Sequence, residues 1–489
     1  MRNRILSIWA STLALLLSAS AAEAKIRLPE ILSDHMVLQQ NSQVHLWGEA
    51  AANSKVTVRT SWSKVKYMTF ADKDGRWMLS IDTPAGGYDA RTVTVSDRES
   101  TVTLSDILIG EVWLCGGQSN MEMPLEGFYA CPIEGAAQEI ATSGSYRDRI
   151  RRVKVPKTGS EEVQEYVKGS WEQASPATTS LWTAVGWFYA KALNATLDVP
   201  VGILECCWGG SAVESWLPKE IVYTYPESTV PTGHYMPPRR EDGSYSWNTS
   251  IIMYNAMLHP VSRYTLKGFL WYQGETNAGL YQYYADRLTT MASVWRELWG
   301  QGDLPFYIVE LAQYSYWYHG DGTTAGARLR EAQHKAAEMI PNSGIITIND
   351  LALSHEYDQI HPQKKREVGE RLAYMALNRT YGYKEIPCDP PVYKEIRIDG
   401  DKVNVYFDNA KMGLSPWHDI SGFEIAGEDR VFYPAKAELS RWDLSIITLT
   451  CEQVSKPAAV RYCFRDFIHG NLTGNNGVPV PQFRSDGWE

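Results

Sequence analysis

A serine stands between two amides at Gln118-Ser119-Asn120, directly behind Gly116-Gly117 and the apolar run 107–114. A buried strand does not need a polar cluster at its end. A serine on a tight, glycine-containing turn exposes its hydroxyl and lets backbone N–H groups converge on the same point, which is what acyl transfer requires. Three further stretches carry matching parts. Cys207-Trp208-Gly209-Gly210-Ser211 follows the apolar run 201–204. Its two glycines allow close backbone approach to a ligand and leave N–H groups to donate. Trp271-Tyr272-Gln273-Gly274-Glu275-Thr276-Asn277 closes another run. There Asn277 can donate a side-chain hydrogen bond to an oxyanion, and Glu275 can orient a base or bind a substrate hydroxyl. In Asp358-Gln359-Ile360-His361-Pro362 a carboxylate precedes an imidazole by three residues. Such a carboxylate can accept from Nδ1–H and leave the other ring nitrogen as a base. Each stretch alone also reads as an ordinary turn. Together and in this order they are the parts for serine ester hydrolysis with no metal or other cofactor.

Those parts need a scaffold that brings distant segments to one edge. The apolar runs 107–114, 201–204, 268–272, 306–311 and 344–348 read as fully buried parallel strands. They alternate with helical stretches at 183–197, 281–298, 326–339 and 363–378. Such alternation predicts an α/β domain with a mostly parallel sheet and a site at the carboxyl ends of its strands. Before it, residues 44–48, 55–60 and 92–95 alternate polar and apolar between turn residues, the pattern of a β-sandwich. After about residue 385, segments 402–407 and 445–450 again read as strands.

The chain has 489 residues, 44% of them hydrophobic and 21% charged, which places it among globular proteins. Its net charge of -10 comes without a basic run and argues against a nucleic-acid partner. Aromatic residues make up 12%, with 18 Trp and 28 Tyr. These can stack on sugar rings, and they also fill β-sandwich cores. Met1-Arg2-Asn3-Arg4, an apolar stretch to Ala22 and the small residues around Ala22-Glu23-Ala24 make a secretory signal peptide expected to be cut after Ala24. The mature chain is then expected to be exported, periplasmic or secreted, with no membrane association. Seven cysteines fit no zinc or disulfide framework, and several are expected to be buried and free. Cys115 with Cys131, or Cys451 with Cys463, are the pairings an oxidising compartment would permit.

The motif set resembles the sialate O-acetylesterases within the SGNH (GDSL-like) hydrolase superfamily. Residues 117–121 match the family's nucleophile block, 271–277 its second signature, and 358–362 its Asp-x-x-His block. The segments 460–462, 470–472 and 481–486 resemble its ending. The resemblance implies an SGNH flavodoxin-like three-layer α/β domain with flanking N-terminal and C-terminal β-domains. The boundaries are a signal peptide at 1–24, then 25–105, 106–384 and 385–489. It implies removal of acetyl groups from sugar hydroxyls, so the expected partner is an acetylated sugar. It maps the nucleophile onto Ser119 and the base onto His361. The oxyanion donors would be the Ser119 N–H, Gly209 or Gly210, and the Asn277 side chain, with Gln118, Asn120 and Gln273 expected to bind substrate. One departure matters: general SGNH enzymes read Gly-x-Asn in the third block, whereas here the Asn falls one residue later. A related acetylxylan esterase group uses the glutamate of this block as the triad acid, so the acid is Asp358 or Glu275. The short spacing to His361 favours Asp358. The same chemistry would serve acetylated xylan or another polysaccharide, and the aromatic content also admits a non-catalytic carbohydrate-binding protein. A sialic acid carboxylate would need a cation, for which Arg239 and Arg240 in the 223–247 loop are candidates, although such a pair reads first as solvated loop residues.

Overall fold

Short alternating strands build the N-terminal region: β1 (Val37–Gln39), β2 (Gln43–Glu49), β3 (Lys55–Thr60), β4 (Lys66–Phe70), β5 (Arg76–Asp82) and β6 (Gly87–Ser96). The computed structural model describes residues 25–231, 233, 245–316 and 324–488. The signal segment 1–24, Arg239 and Arg240 lie outside the described residues. β2 pairs with β5, while β3 pairs with β4 and β6, all antiparallel. Val44, Leu46, Val56, Val58, Ile81 and Val93 are buried and join one apolar cluster. Full burial of each such side chain contributes about 1.5–3 kcal/mol relative to exposure.

The next strand, β7 (Thr101–Gly117), belongs to two sheets at once. Its first part pairs antiparallel with β6, and Leu108 meets Val37 of β1. Its second part, Glu111 to Gly117, pairs in parallel with β10 (Val201–Cys207) on one side. On the other side Trp113 to Gly117 pair with β11 (Gly268–Tyr272). The change of pattern near residue 106 therefore falls inside one continuous strand. Around it the central sheet runs β13 (Ser343–Ile346), β12 (Phe306–Val309), β11, β7, β10, β8 (Ile150–Lys154) and β9 (Trp171–Gln173). All pairings are parallel except β8 with β9. The protein is thus a mixed α/β structure with a central mixed sheet and additional β-sheet regions.

The buried strands pack on both faces, which is why they read as unbroken apolar runs. Trp113 and Cys115 of β7 share a cluster with Val185 and Phe188 of the helix Ala184–Leu197 and with Val368 and Leu372 of Lys365–Arg379. Val112 and Leu114, one residue out of phase, share another with Leu288 and Met291 of Tyr281–Trp299 and Leu329 of Ala325–Met339. With the single turn Ser119–Glu122 counted first, these helices are α1 (Ser119–Glu122), α2 (Ala184–Leu197), α3 (Tyr281–Trp299), α4 (Ala325–Met339) and α5 (Lys365–Arg379). Strand β8 escaped the sequence pattern because it buries Arg151 and Arg152. Arg151 is paired with Asp106, and Arg152 with Glu172 and Glu205.

The C-terminal residues form two four-stranded antiparallel sheets around Val403, Val405, Ile425, Leu449, Val460 and Tyr462. Polar contacts tie them to α4: Arg330 Nε donates to Gln482 Oε1 at 2.7 Å, and Arg484 meets Glu331 at 2.8 Å. All seven cysteines are free, so neither of the pairings considered from the sequence forms. Cys115 is sealed in the layer between sheet and helices, Cys131 faces Gln359, and Cys463 lies in the C-terminal core. Burial pushes the Cys115 and Cys463 thiols up, away from the reactive thiolate form.

Candidate active site

Ser119 is delivered by the end of β7. Gly117 has φ +138°, and a Cβ there would sit 2.1 Å from the Tyr272 carbonyl oxygen, so a side chain would break the last rung between β7 and β11. Gln118 is extended, and its N–H donates to Tyr272 O at 3.1 Å. Its carbonyl accepts from Met121 and Glu122 N–H at 3.0 and 2.9 Å, which starts α1. Ser119 is half-buried at this corner. The strand order reverses here: β10 lies on one side of β7 and β11 on the other. Ligands of open α/β sheets bind at such crevices.

The loop after β10 covers one side. A Cβ on Gly209 would lie 3.3 Å from Ser119 Cβ and 3.2 Å from Glu122 Oε2. The Gly209 N–H donates to that same carboxylate oxygen at 2.7 Å, and Lys157 Nζ meets the other at 2.5 Å. Gly210 has φ +80°, and a Cβ there would lie 2.5 Å from the Trp247 ring, which covers it.

Beneath this surface Gln118, Gln273 and Asn277 are buried in a closed network. Gln273 Nε2 donates to Gln118 Oε1 at 3.1 Å, Ser211 O at 3.0 Å and Asn277 Oδ1 at 2.8 Å. Its Oε1 accepts from the Tyr284 hydroxyl at 2.7 Å. Asn277 Nδ2 donates to Glu214 Oε2 at 3.0 Å, and Glu214 is ion-paired with Arg287. The expected oxyanion donor Asn277 is therefore turned away from Ser119 and committed to a buried carboxylate. Gln118 and Gln273, expected to bind substrate, tie the ends of β7, β10 and β11 together instead.

The opposite side of Ser119 is built differently. Asn120, wholly buried, donates from Nδ2 to Glu275 Oε1 and, at 3.0 Å, to Ile360 O. Its Oδ1 accepts from Lys365 Nζ at 2.6 Å. This places Asn120 under the site rather than at its surface. Glu275 Oε2 is buried with no hydrogen-bond partner, and burial pushes this carboxyl above its usual range. His361 packs its ring edge-on against Phe128 at 5.1 Å. Its Nδ1 lies 3.9 Å from Cys131 Sγ, and its Nε2 is enclosed without a partner. Burial, reinforced by the Lys365 charge, brings His361 down to about 4. Among the described residues neither the Ser119 hydroxyl nor His361 Nε2 makes a hydrogen bond, so the two side chains are not joined to each other. Asp358 is exposed and makes no hydrogen bond to the imidazole. Gln359 takes the inner position: its Oε1 accepts from the His361 backbone N–H at 3.3 Å and the Cys131 thiol at 3.2 Å. Lys365, Phe128 and Glu122 were not singled out from the sequence, and Cys131 was considered only for a disulfide. The one signal was a lysine at the start of a predicted helix, where acidic residues are favoured.

Residues 109–378 match the family model of carbohydrate esterases described as sialic acid-specific acetylesterase, more than half of the chain, from within β7 to the last turn of α5. The chain belongs to that family. It is a carboxylic ester hydrolase, and the esterase match takes in Ser119, Gly209, Glu275, His361 and Lys365. The sialate O-acetylesterase of Rattus norvegicus is 26% identical over 428 residues, 76% of this chain and 77% of the relative. That of Homo sapiens is 26% identical over 414 residues, 76% and 74% of the two chains. A crystal structure of a carbohydrate acetylesterase from Xanthomonas citri superposes with a TM-score of 0.81 at 32% identity, covering 95% of this chain and all of that one.

Proposed function

We propose that this protein is an exported serine esterase that removes O-acetyl groups from sialic acid. The observation that carries the reading is the meeting of three separate elements at one point. Ser119 lies on the β7 turn beside Gly209, and the adjacent Asn120 bridges buried Glu275 to the loop that bears His361. In this reading an SGNH-type α/β unit over 106–384 carries the chemistry, with β-rich regions 25–105 and 385–489 on either side. The segment 1–24 directs export.

The reaction runs in two steps. His361 Nε2 takes the Ser119 proton while Oγ bonds to the acetyl carbonyl carbon, whose oxygen becomes anionic. Backbone N–H groups at Ser119 and Gly210 are the donors suited to hold that oxyanion, since Asn277 is committed elsewhere. The sugar oxygen leaves with the proton from His361, and an acetyl-serine remains. Water, deprotonated by His361, then attacks the acetyl group, and acetate departs as Ser119 recovers its proton. For the third member, burial and an unpartnered oxygen support Glu275, while only local spacing supports Asp358. A carboxylate acts here by orienting the imidazole and stabilising its protonated form.

Acetate release from O-acetylated sialic acid, with Ser119→Ala as control, tests the reading. An inactive wild type, or an active control, rejects it. Acetylated polysaccharide is the second substrate class. It is favoured by the 32% identical Xanthomonas citri structure, which is described as a carbohydrate acetylesterase. Release from acetylated xylan alone would keep the mechanism and change the substrate.

A further inference from the structure

Lys365 opens α5 and is wholly buried. Its position is unfavourable on three counts. A buried ammonium loses its hydration. The start of a helix carries the positive end of the dipole, which disfavours cations. Among the described residues, no carboxylate lies within ion-pairing distance of Nζ. Instead Nζ donates to Asn120 Oδ1 at 2.6 Å and lies 5.6 Å from the centre of the Tyr272 ring. An ammonium can only donate, so it dictates which end of the Asn120 amide is oxygen. Nδ2 must then face Glu275 and Ile360 O, as it does. Asn120 adjoins Ser119, Ile360 adjoins His361, and Glu275 opens the turn after β11.

We infer that Lys365 is a positioning residue for ester hydrolysis: it locks the Asn120 amide and through it holds the Ser119 turn against the His361 loop and Glu275. The inference rests on the assignment of Ser119 and His361 proposed above. The ammonium has an electrostatic consequence as well. The titratable groups that face it are Glu275 after β11, Glu356 in the loop before α5, Cys131 after α1, and His361 itself. Burial brings Lys365 down to about 7 against the pull of the two glutamates. While charged, it opposes protonation of the imidazole and keeps the base free in mild acid.

Two variants of the full chain test this, assayed with 4-nitrophenyl acetate across pH. Lys365→Met keeps length and removes both charge and donor. Lys365→Gln restores a donor without charge. The Met variant is expected to lose on the order of 10²-fold in kcat, as misplacement of reacting groups does, with KM little changed. The Gln variant should recover part of kcat. In both, the acidic limb of kcat/KM should move to higher pH, which a residue that merely fills space would not cause. A folded Lys365→Met with wild-type kcat and an unmoved limb overturns the inference. If that variant does not fold, the same result for Lys365→Gln does so, and failure of both to fold makes Lys365 a folding residue and also overturns it. Ser119→Ala is run alongside. If it stays active the esterase reading itself falls; if it is inactive while the Lys365 variants match wild type, only the role of Lys365 falls.

Discussion

Two buried polar networks flank the Ser119 turn, and they are finished to different degrees. On the β10 side Gln118, Gln273, Asn277, Glu214 and Arg287 form a closed chain of hydrogen bonds ending in an ion pair. On the α5 side Asn120 is satisfied, but among the described residues Glu275 Oε2 and His361 Nε2 are enclosed without partners, and Lys365 has no counter-ion in contact. A buried group left unpaired costs about 1–3 kcal/mol. Folding alone would favour the first arrangement on both sides. In the proposed reaction the unfinished side is where protons move, and atoms that must exchange partners during a reaction cannot all be saturated beforehand.

The sharpest way to break this contrast is Ser119→Ala, expected to lower kcat on the order of 10⁶-fold, as removal of a triad serine does, with unchanged melting temperature. Glu275→Gln against Asp358→Asn comes next. Loss of the orienting carboxylate lowers kcat on the order of 10⁴-fold, and the fall is expected for Glu275→Gln while Asp358→Asn stays near wild type. The reverse order would mean that local spacing, rather than burial, selects the acid. On the closed side the readout should be stability. Asn277→Ala leaves Glu214 and Gln273 short of partners and should cost about 1–3 kcal/mol in urea unfolding, with a smaller effect on kcat than either triad change. A large selective loss of kcat in that variant would return Asn277 to the oxyanion site.

The smallest effect is in pH. With His361 brought down to about 4, kcat/KM should hold through the range where an ordinary histidine, near 6.5, would protonate. Stability follows the same group. The unfolded imidazole takes a proton from about pH 6.5 downward and the folded one only near 4, so thermal stability should fall as pH drops through that window. A melting temperature level across it, or a limb near pH 6.5, would show that the imidazole is open to water.

Most of the scaffold was legible because its signals are local. Strand β11 coincides with the apolar run 268–272 and α3 starts where the helical stretch 281–298 starts, while the other predicted strands and helices differ by a few residues. Strand β8 was hidden by its two arginines, whose charges are neutralised by Asp106, Glu172 and Glu205 from elsewhere in the chain. The blocks around Ser119, Gly209 and Glu275 stood out as short polar breaks after apolar runs, and that around His361 by the spacing of an Asp and a His. What each residue does was less so. Asp358 looked like the partner of His361 because it is three residues away, yet the loop turns it outward to solvent and seats Gln359 inside.

The sequence by itself determined the five apolar parallel strands, to within a few residues of where they stop, and the four polar stretches that lie beyond them. Burial and strand termination depend on neighbouring side chains and backbone propensity. Only the tertiary structure decided the partners. Asn277 faces Glu214, Asn120 bridges Glu275 to Ile360, and a lysine from α5 sits beneath the Ser119 turn. The members of each contact lie between 63 and 245 residues apart. No local pattern encodes such pairings, because the energy of a buried amide or ammonium is set by whichever atoms the folded chain brings against it.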